Sequence, residues 1–273
     1  RDLHLSIRRQ RQMCIRDRYS ISTSIVKIDE FIFRADSMTL NQPSVTLQTL
    51  GDKKLSARGE IARAKLKRAA MTVMEKTGYH GMRIHDVTSE AGVAAGLFYH
   101  YFNDLKSLTL EVLKDYIREA RNLDVIEKNV PRGDWYARMY AHFSLVVDSY
   151  AQRPGLMRCL LQLADEDKDF AEEIRRGYME QLSWLTKLMP KLFPEAELDK
   201  HQSFLMIYTL ASSGEMMLRD YFINLDTNLH QEEINHSDIT ELLTTVFYRG
   251  LFLENPPVEK LSYTKNLKYM ARN

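Results

Sequence analysis

The residues best placed to do chemistry lie in one short stretch, positions 82–108, MRIHDVTSEAGVAAGLFYHYFNDLKSL. The chemistry they suit is non-covalent. Tyr99 and His100 offer a phenol and an imidazole, Arg83 a guanidinium, His85 a second imidazole and Lys106 an ammonium. Those groups reach the phosphate oxygens of a nucleic acid. Between them stand Ala94, Ala95, Gly96 and Leu97, which carry almost no hydrogen-bonding side chains. Such residues read bases only through close backbone approach, an apolar contact with a thymine methyl, or the shape of the duplex.

Other chemistries lack a constellation. His80 and His85 are five apart with Gly81 between them, a poor spacing for one metal on one helix face. Ser144, Ser149 and Ser212-Ser213 have no G-x-S-x-G setting, and no phosphate-cradling glycine loop is present. The reading is therefore not an enzyme, with no cofactor and no metal. Cys14 and Cys159 alone give no disulfide framework, which suits a reducing, cytoplasmic compartment. No apolar run reaches the roughly 18 residues that span a bilayer, so no membrane partner is expected.

The stretch needs elements to hold it, and the pattern supplies helices. Ala62, Leu66, Ala69 and Val73 form one face of an amphipathic helix that Gly78 stops. Ile84–Ala91 reads as a second helix and Ala95–Tyr101 as a third, joined by a tight turn at Ala91-Gly92-Val93. Gly92 can take the positive φ that such a turn requires. Val87 and Ile84 supply the buried face of the second helix, and Val93 and Phe98 plug the gap to the third. Asn103-Asp104 caps a fourth helix through Leu105, Leu108, Val112 and Ile117. Two short helices about such a turn outline a helix-turn-helix, whose second helix enters the major groove of DNA.

After Pro131-Arg132-Gly133, helical segments follow at about 134–152, 155–164, 167–189, 196–224 and 237–253, with Pro190 among the breaks between them. No run alternates with period two. The fold expected is all-α: residues 1–55 a disordered or partly non-native leader, 56–104 a three-helix DNA-binding domain, 105–256 a larger ligand-binding and dimerisation domain, and 257–273 a tail. Segment 8–18, RRQRQMCIRDR, has no helical or strand period and resembles translated adapter sequence at the ends of shotgun gene models, which makes Met38 the expected start. A basic arm on DNA is the other reading of that segment. Charge is uneven along the chain: 10 basic against 6 acidic residues over 1–54, 8 against 5 over 55–106, and 20 against 26 beyond. A basic front suits contact with a polyanion. Arg58, Arg63, Lys65, Lys67 and Arg68 make a charged face, of which one or two could touch phosphate.

Taken together, Gly78-Tyr79, Asp86-Val87, Ala91-Gly92-Val93, Gly96, Tyr99, Phe102 and Leu108 sit at the spacing of the tetracycline-repressor (TetR/AcrR) family, and the chain resembles that family over about residues 58–110. The helical remainder resembles the family's second domain in layout. The resemblance implies a homodimeric repressor that binds a double-stranded DNA operator and leaves it when a small molecule enters the larger domain. Departures are visible. Met82-Arg83 stands where the family often has Thr, Ala94-Ala95 where it often has polar residues, and Leu97 where Thr is frequent. Lys106 lies one place after the family's lysine position, about 100° around the helix.

The second domain is rich in Met and aromatics. Met139, Phe143, Met157, Trp184 and Met206 are the ligand-lining candidates, and an apolar or amphipathic effector would suit them. His142, Gln162 and Arg158 could orient it, with nothing in the sequence to choose among them. The competing function is a ligand-binding or scaffold protein whose helix-turn-helix has lost its operator, for which bare Ala94-Ala95 is the support.

Overall fold

The computed structural model describes residues 56–120, 130–131, 133–231 and 234–270; the expected leader 1–55 lies outside the described residues. Nine α-helices and no strand occur among them. They are α1 (Ala57–Gly81), α2 (Ile84–Ala91), α3 (Ala95–Phe98), α4 (Leu105–Ala120), α5 (Trp135–Gln152), α6 (Pro154–Glu166), α7 (Lys168–Leu192), α8 (Lys200–Arg219) and α9 (His236–Phe252). None is long and apolar enough to cross a membrane.

Local chemistry sets the boundaries. The Ser56 hydroxyl accepts from the Gly59 N–H at the head of α1. Gly78, at φ 74°, breaks the helical backbone near its end. Asp104 accepts the Ser107 N–H at 2.7 Å ahead of α4. Asp134, Asp167 and Asp199 do the same for α5, α7 and α8. Two expected boundaries around Pro190 and Pro194 move. Helix α7 runs through Pro190 to Leu192, because a proline in the last turn gives up a single intrahelical bond. Helix α8 starts at 200 rather than 196, since Pro194–Ala196 form a 3-10 turn and Glu197 turns the chain at φ 48°. At its other end α8 gives way to one π-turn, Asp220–Asn224.

One continuous core joins the front and back of the molecule. Leu66, Ala70, Met74, Val87, Phe98, Leu108, Val112 and Leu113 are buried in the same cluster as Leu156, Cys159, Leu163 and Ile207. Helix α4 packs on α1, with Arg63 and Lys67 reaching Glu111 and Lys67 also reaching Asp115. Helix α6 lies along α1, and α9 packs on α5. The approach of α6 to α1 is so close at Gly155 that any Cβ there would strike the Glu75 carbonyl oxygen. Beyond α9 the chain does not leave the body. Leu261 and Thr264 are buried, and buried Glu241 of α9 accepts from the Ser262 and Thr264 N–H groups and the Thr264 hydroxyl.

Candidate nucleic-acid interface

Helices α2 and α3 are joined by a turn whose hydrogen bonds follow from one residue. Gly92 sits at φ 64°, ψ 39°, a left-handed conformation that costs glycine nothing. Its N–H donates to the Ser89 carbonyl at 3.1 Å, and the Val93 N–H donates to the Thr88 carbonyl at 3.0 Å. This paired closure is the Schellman motif, and it satisfies two of the carbonyls that the end of α2 leaves open. At the other end of α2 the Asp86 carboxylate accepts the Arg83 N–H at 3.0 Å.

The turn presents α3 with a buried side and an open side. Phe98 and Val87 are fully buried, and Phe102 packs its ring 5.9 Å from Phe98. Opposite this anchor, Arg83, His85, Ala94, Ala95, Gly96, Tyr99, His100 and Lys106 are all exposed, and Leu97 is half-buried. Tyr99 is 64% exposed despite its large ring, a poor position for a core aromatic and a good one for a phosphate contact. The regular helix ends at Phe98, three residues before the expected Tyr101, because the next turn tightens. The His100 N–H donates to Leu97 and the Tyr101 N–H to Phe98.

Gly96 stands apart from the other glycines of this region. Its φ is negative, and a Cβ built on it meets nothing within 4 Å. Glycine in a helix costs roughly 0.5–1 kcal/mol relative to alanine. Nothing inside the described fold returns that cost. An outside body that must come close to the backbone of α3 would.

The basic candidates divide. Lys106 Nζ lies 2.5 Å from Asp167, the carboxylate that caps α7, and this pair holds the Lys106 pKa above its ordinary value. Arg63 and Lys67 are likewise engaged with α4 carboxylates. Arg83 and His85 keep their side chains on the open surface, with His85 85% exposed.

Sequence reasoning missed the connection between this surface and the larger body. The Glu75 carboxylate of α1 accepts the Gly155 N–H at 2.9 Å and the Leu156 N–H at 2.8 Å, so it caps the first turn of α6 from another helix. At the far end of α6, His80 lies 2.7 Å from Glu166. Lys114 of α4 pairs with Glu173 of α7 at 2.6 Å. Both ends of α6, and the start of α7, are therefore tied to α1 and α4.

The ligand-lining candidates are brought together in part. Met139, Phe143 and Met157 are buried in the main core, and Met206 packs against it half-buried. Trp184 packs in a second cluster with Trp135, Leu188 and Leu192.

Comparison with known proteins agrees with this geometry. Residues 66–112 match the tetR family of bacterial regulatory proteins. The chain is 37% identical over 60 residues to the HTH-type transcriptional regulator BetI of Vibrio vulnificus (strain YJ016), covering 22% of this chain and 30% of that regulator. It is 26% identical over 114 residues to the fatty acid metabolism regulator protein of Bacillus subtilis (strain 168), covering 41% of this chain and 59% of that protein. The matched stretch thus spans under a third of BetI. Among solved structures, the fatty acid degradation regulator FadR from Bacillus halodurans superposes with a TM-score of 0.51 at 18% identity, covering 73% of this chain and 97% of that one. A TetR-like transcriptional regulator from Rhodococcus sp. RHA1 gives 0.50 at 15% identity over 70% and 96%. At such identities the superpositions speak for the all-helical fold. The segment that builds the helix-turn-helix, residues 66–112, is thus similar to the tetR family of bacterial regulatory proteins.

Proposed function

We propose that this chain is a homodimeric, ligand-responsive transcription regulator, a repressor that leaves its operator when a small molecule binds the larger helical body. The observation that carries the reading is Gly96, exposed on α3 with neither a left-handed backbone nor a crowded neighbour to require it. A duplex in contact with α3 supplies the missing reason. Arg83, His85, Tyr99 and His100 then hold phosphates around a reading surface of Ala94, Ala95, Gly96 and Leu97. Lys106, paired with Asp167, serves as the joint between α4 and α7 more readily than as a phosphate ligand.

Support for the homodimer comes from apolar side chains left on the outer face of α8 and α9. Leu205, Tyr208 and Met216 of α8 and Val246 of α9 are exposed. Their spacing on α8 is close to one helical stripe, and a second copy would cover it. Two α3 helices would then enter successive major grooves about 34–36 Å apart.

The response to a ligand follows from the ties between α6 and α1. A small molecule that favours one position of α6 and α7 moves Glu75, His80 and Lys106 with them, and operator affinity falls by linkage. An apolar or amphipathic effector suits the Met and Phe side chains around α5. The test is titration of the full chain against genomic DNA fragments. Salt-sensitive binding with a preferred site supports the reading. Binding without any preferred site supports the scaffold alternative, which the bare Ala94-Ala95 start favours.

A further inference from the structure

The residues after α9 are held by their polar groups and turn apolar ones outward. The chain returns to the level of Glu241 and then follows α9 towards its C-terminal end. The Glu241 carboxylate accepts the Ser262 N–H at 3.1 Å, the Thr264 N–H at 2.7 Å and the Thr264 hydroxyl at 2.6 Å. Further along, the Arg249 guanidinium donates to the Leu267 carbonyl at 3.1 Å, and the Asn255 amide to the Lys268 carbonyl at 3.3 Å. The tail is thus fixed in place by bonds to α9 and the turn after it. Yet Tyr263 is exposed, and Tyr269 and Met270 are 75% and 69% exposed. What the tail buries is Leu261 and the hydroxyl-bearing Thr264. A segment that hides a polar side chain and shows large apolar ones has its surface the wrong way round for water alone.

The register of α9 shows what these side chains adjoin. Leu243 and Gly250 face Gly214 and Leu210 of α8. Glu241 and Thr245 face the tail. At about 100° per residue, Leu242 and Val246 fall between those two sides, and Leu253 at the helix end continues their line. Val246 is exposed, and Leu253 is 89% exposed. On α8, the side turned away from Leu210 and Gly214 carries Leu205, Thr209, Ser212 and Met216, all exposed except half-buried Ser212. The α8 stripe, the α9 stripe and the tail therefore lie side by side as one outer surface.

The distribution of charge says what that surface fits. From Gln202 to Leu218, α8 has one charged residue, Glu215, and its carboxylate is turned to the Tyr150 hydroxyl of α5 at 2.7 Å. Between Glu241 and Arg249, α9 has none. A nucleic acid, an acidic peptide or an anionic membrane finds no counter-charge on either stripe. Charge returns on the tail with Lys265 and Lys268, the latter 4.8 Å from the centre of the Tyr269 ring. An uncharged centre with a polar rim is the anatomy of a protein–protein contact. A two-fold axis sets each group close to its own copy, so a patch that pairs with itself must be free of like charge across its centre. We propose that the tail, through Tyr263, Tyr269 and Met270, is a third strip of the contact with a second copy of this chain, beside α8 and α9. This rests on the homodimer reading and extends it past the last long helix.

The test uses the full chain and no DNA. A triple variant, Tyr263→Ser with Tyr269→Ser and Met270→Ser, removes the outward side chains and leaves Glu241, Thr264 and the tail backbone in place. Far-UV circular dichroism checks its fold. In sedimentation velocity over a dilution series, its dimer dissociation constant should be roughly tenfold or more above that of wild type. Hydroxyl-radical footprinting gives a second readout that needs no tail variant. Tyr263, Tyr269 and Met270 should label about threefold less or lower still in the wild-type dimer than in Leu205→Glu with Met216→Glu, the monomer reference, because an interface excludes water. Tyr99, exposed on α3, should label equally in both. A wild-type dimer that the triple variant matches in dissociation constant, or whose tail labels as the monomer's does, overturns the proposal and leaves the homodimer reading standing. A wild-type monomer, or a reference variant that stays dimeric, overturns the homodimer reading on α8 and α9 and the proposal with it.

Discussion

Replacing Gly96 with alanine should strengthen the fold and weaken the complex with DNA. The added methyl meets nothing within 4 Å, and the φ at this position suits any L residue, so the folded chain accepts it without strain. Alanine loses less backbone freedom on folding, which stabilises by roughly 0.5–1 kcal/mol. Position 96 is the second residue of a four-residue helix, so the lower half of that range is the better expectation. For a chain of this size the melting temperature should rise by about 1–4 °C. On DNA the same methyl stands between the α3 backbone and the duplex. Losing one close contact costs on the order of 1–3 kcal/mol per half-site, much as a mismatched base pair does. Two half-sites double the free energy, so operator affinity falls by about 30-fold or more. Differential scanning fluorimetry gives the first number and fluorescence anisotropy on an operator fragment the second. Opposite signs are the signature. A variant that is more stable and binds DNA as wild type does would refute the argument that Gly96 exists for an outside partner.

Other expectations follow from the described contacts. Glu75→Ala removes two charge-assisted bonds to the first turn of α6 and should cost about 1.5–3 kcal/mol in urea unfolding, while lowering the effect of any ligand on operator affinity. Burial alone would raise the Glu241 pKa, but bonds from Thr264 and Ser262 outweigh it and hold the carboxylate below its ordinary value. Its contribution is therefore present above the unfolded carboxylate pKa and lost as pH falls through the lower folded one. Acid titration should show wild type losing its advantage over Glu241→Gln only in that acidic window. Leu205→Glu with Met216→Glu places charges on the outer face of α8 and should yield monomers in sedimentation velocity, with operator affinity reduced at least tenfold. A stable dimer in that double variant would move the interface elsewhere.

The helix-turn-helix was legible because its determinants are local. Gly92 needs a left-handed turn, Val87 and Phe98 lie at helical spacing, and Asp104 caps the helix just after it. Helix α2 was read to the residue for the same reason. The joint between the two parts was not legible, because it depends on residues far apart in sequence. Glu75 reads as one more charge on an amphipathic helix until α6 arrives 80 residues later to place two N–H groups on it. Lys106 looked displaced from a phosphate role, and its partner Asp167 could not be guessed from local pattern. The last residues read as a tail after Pro256-Pro257 because a 3-10 turn has no hydrophobic period. What fixes them is Glu241, whose burial only tertiary packing reveals. At the candidate interface itself, all the residues that the sequence offered are exposed except half-buried Leu97, while the reason for Gly96 needed the empty space around its Cα.

The most direct test of the account is titration of the full chain against genomic DNA fragments at two salt concentrations, beside Tyr99→Ala. The account predicts a preferred fragment, affinity that falls steeply as salt rises, and at least a tenfold loss in Tyr99→Ala with an unchanged melting temperature, since Tyr99 is exposed. Binding that shows no preferred fragment, or a Tyr99→Ala chain that binds as tightly as wild type, would contradict it.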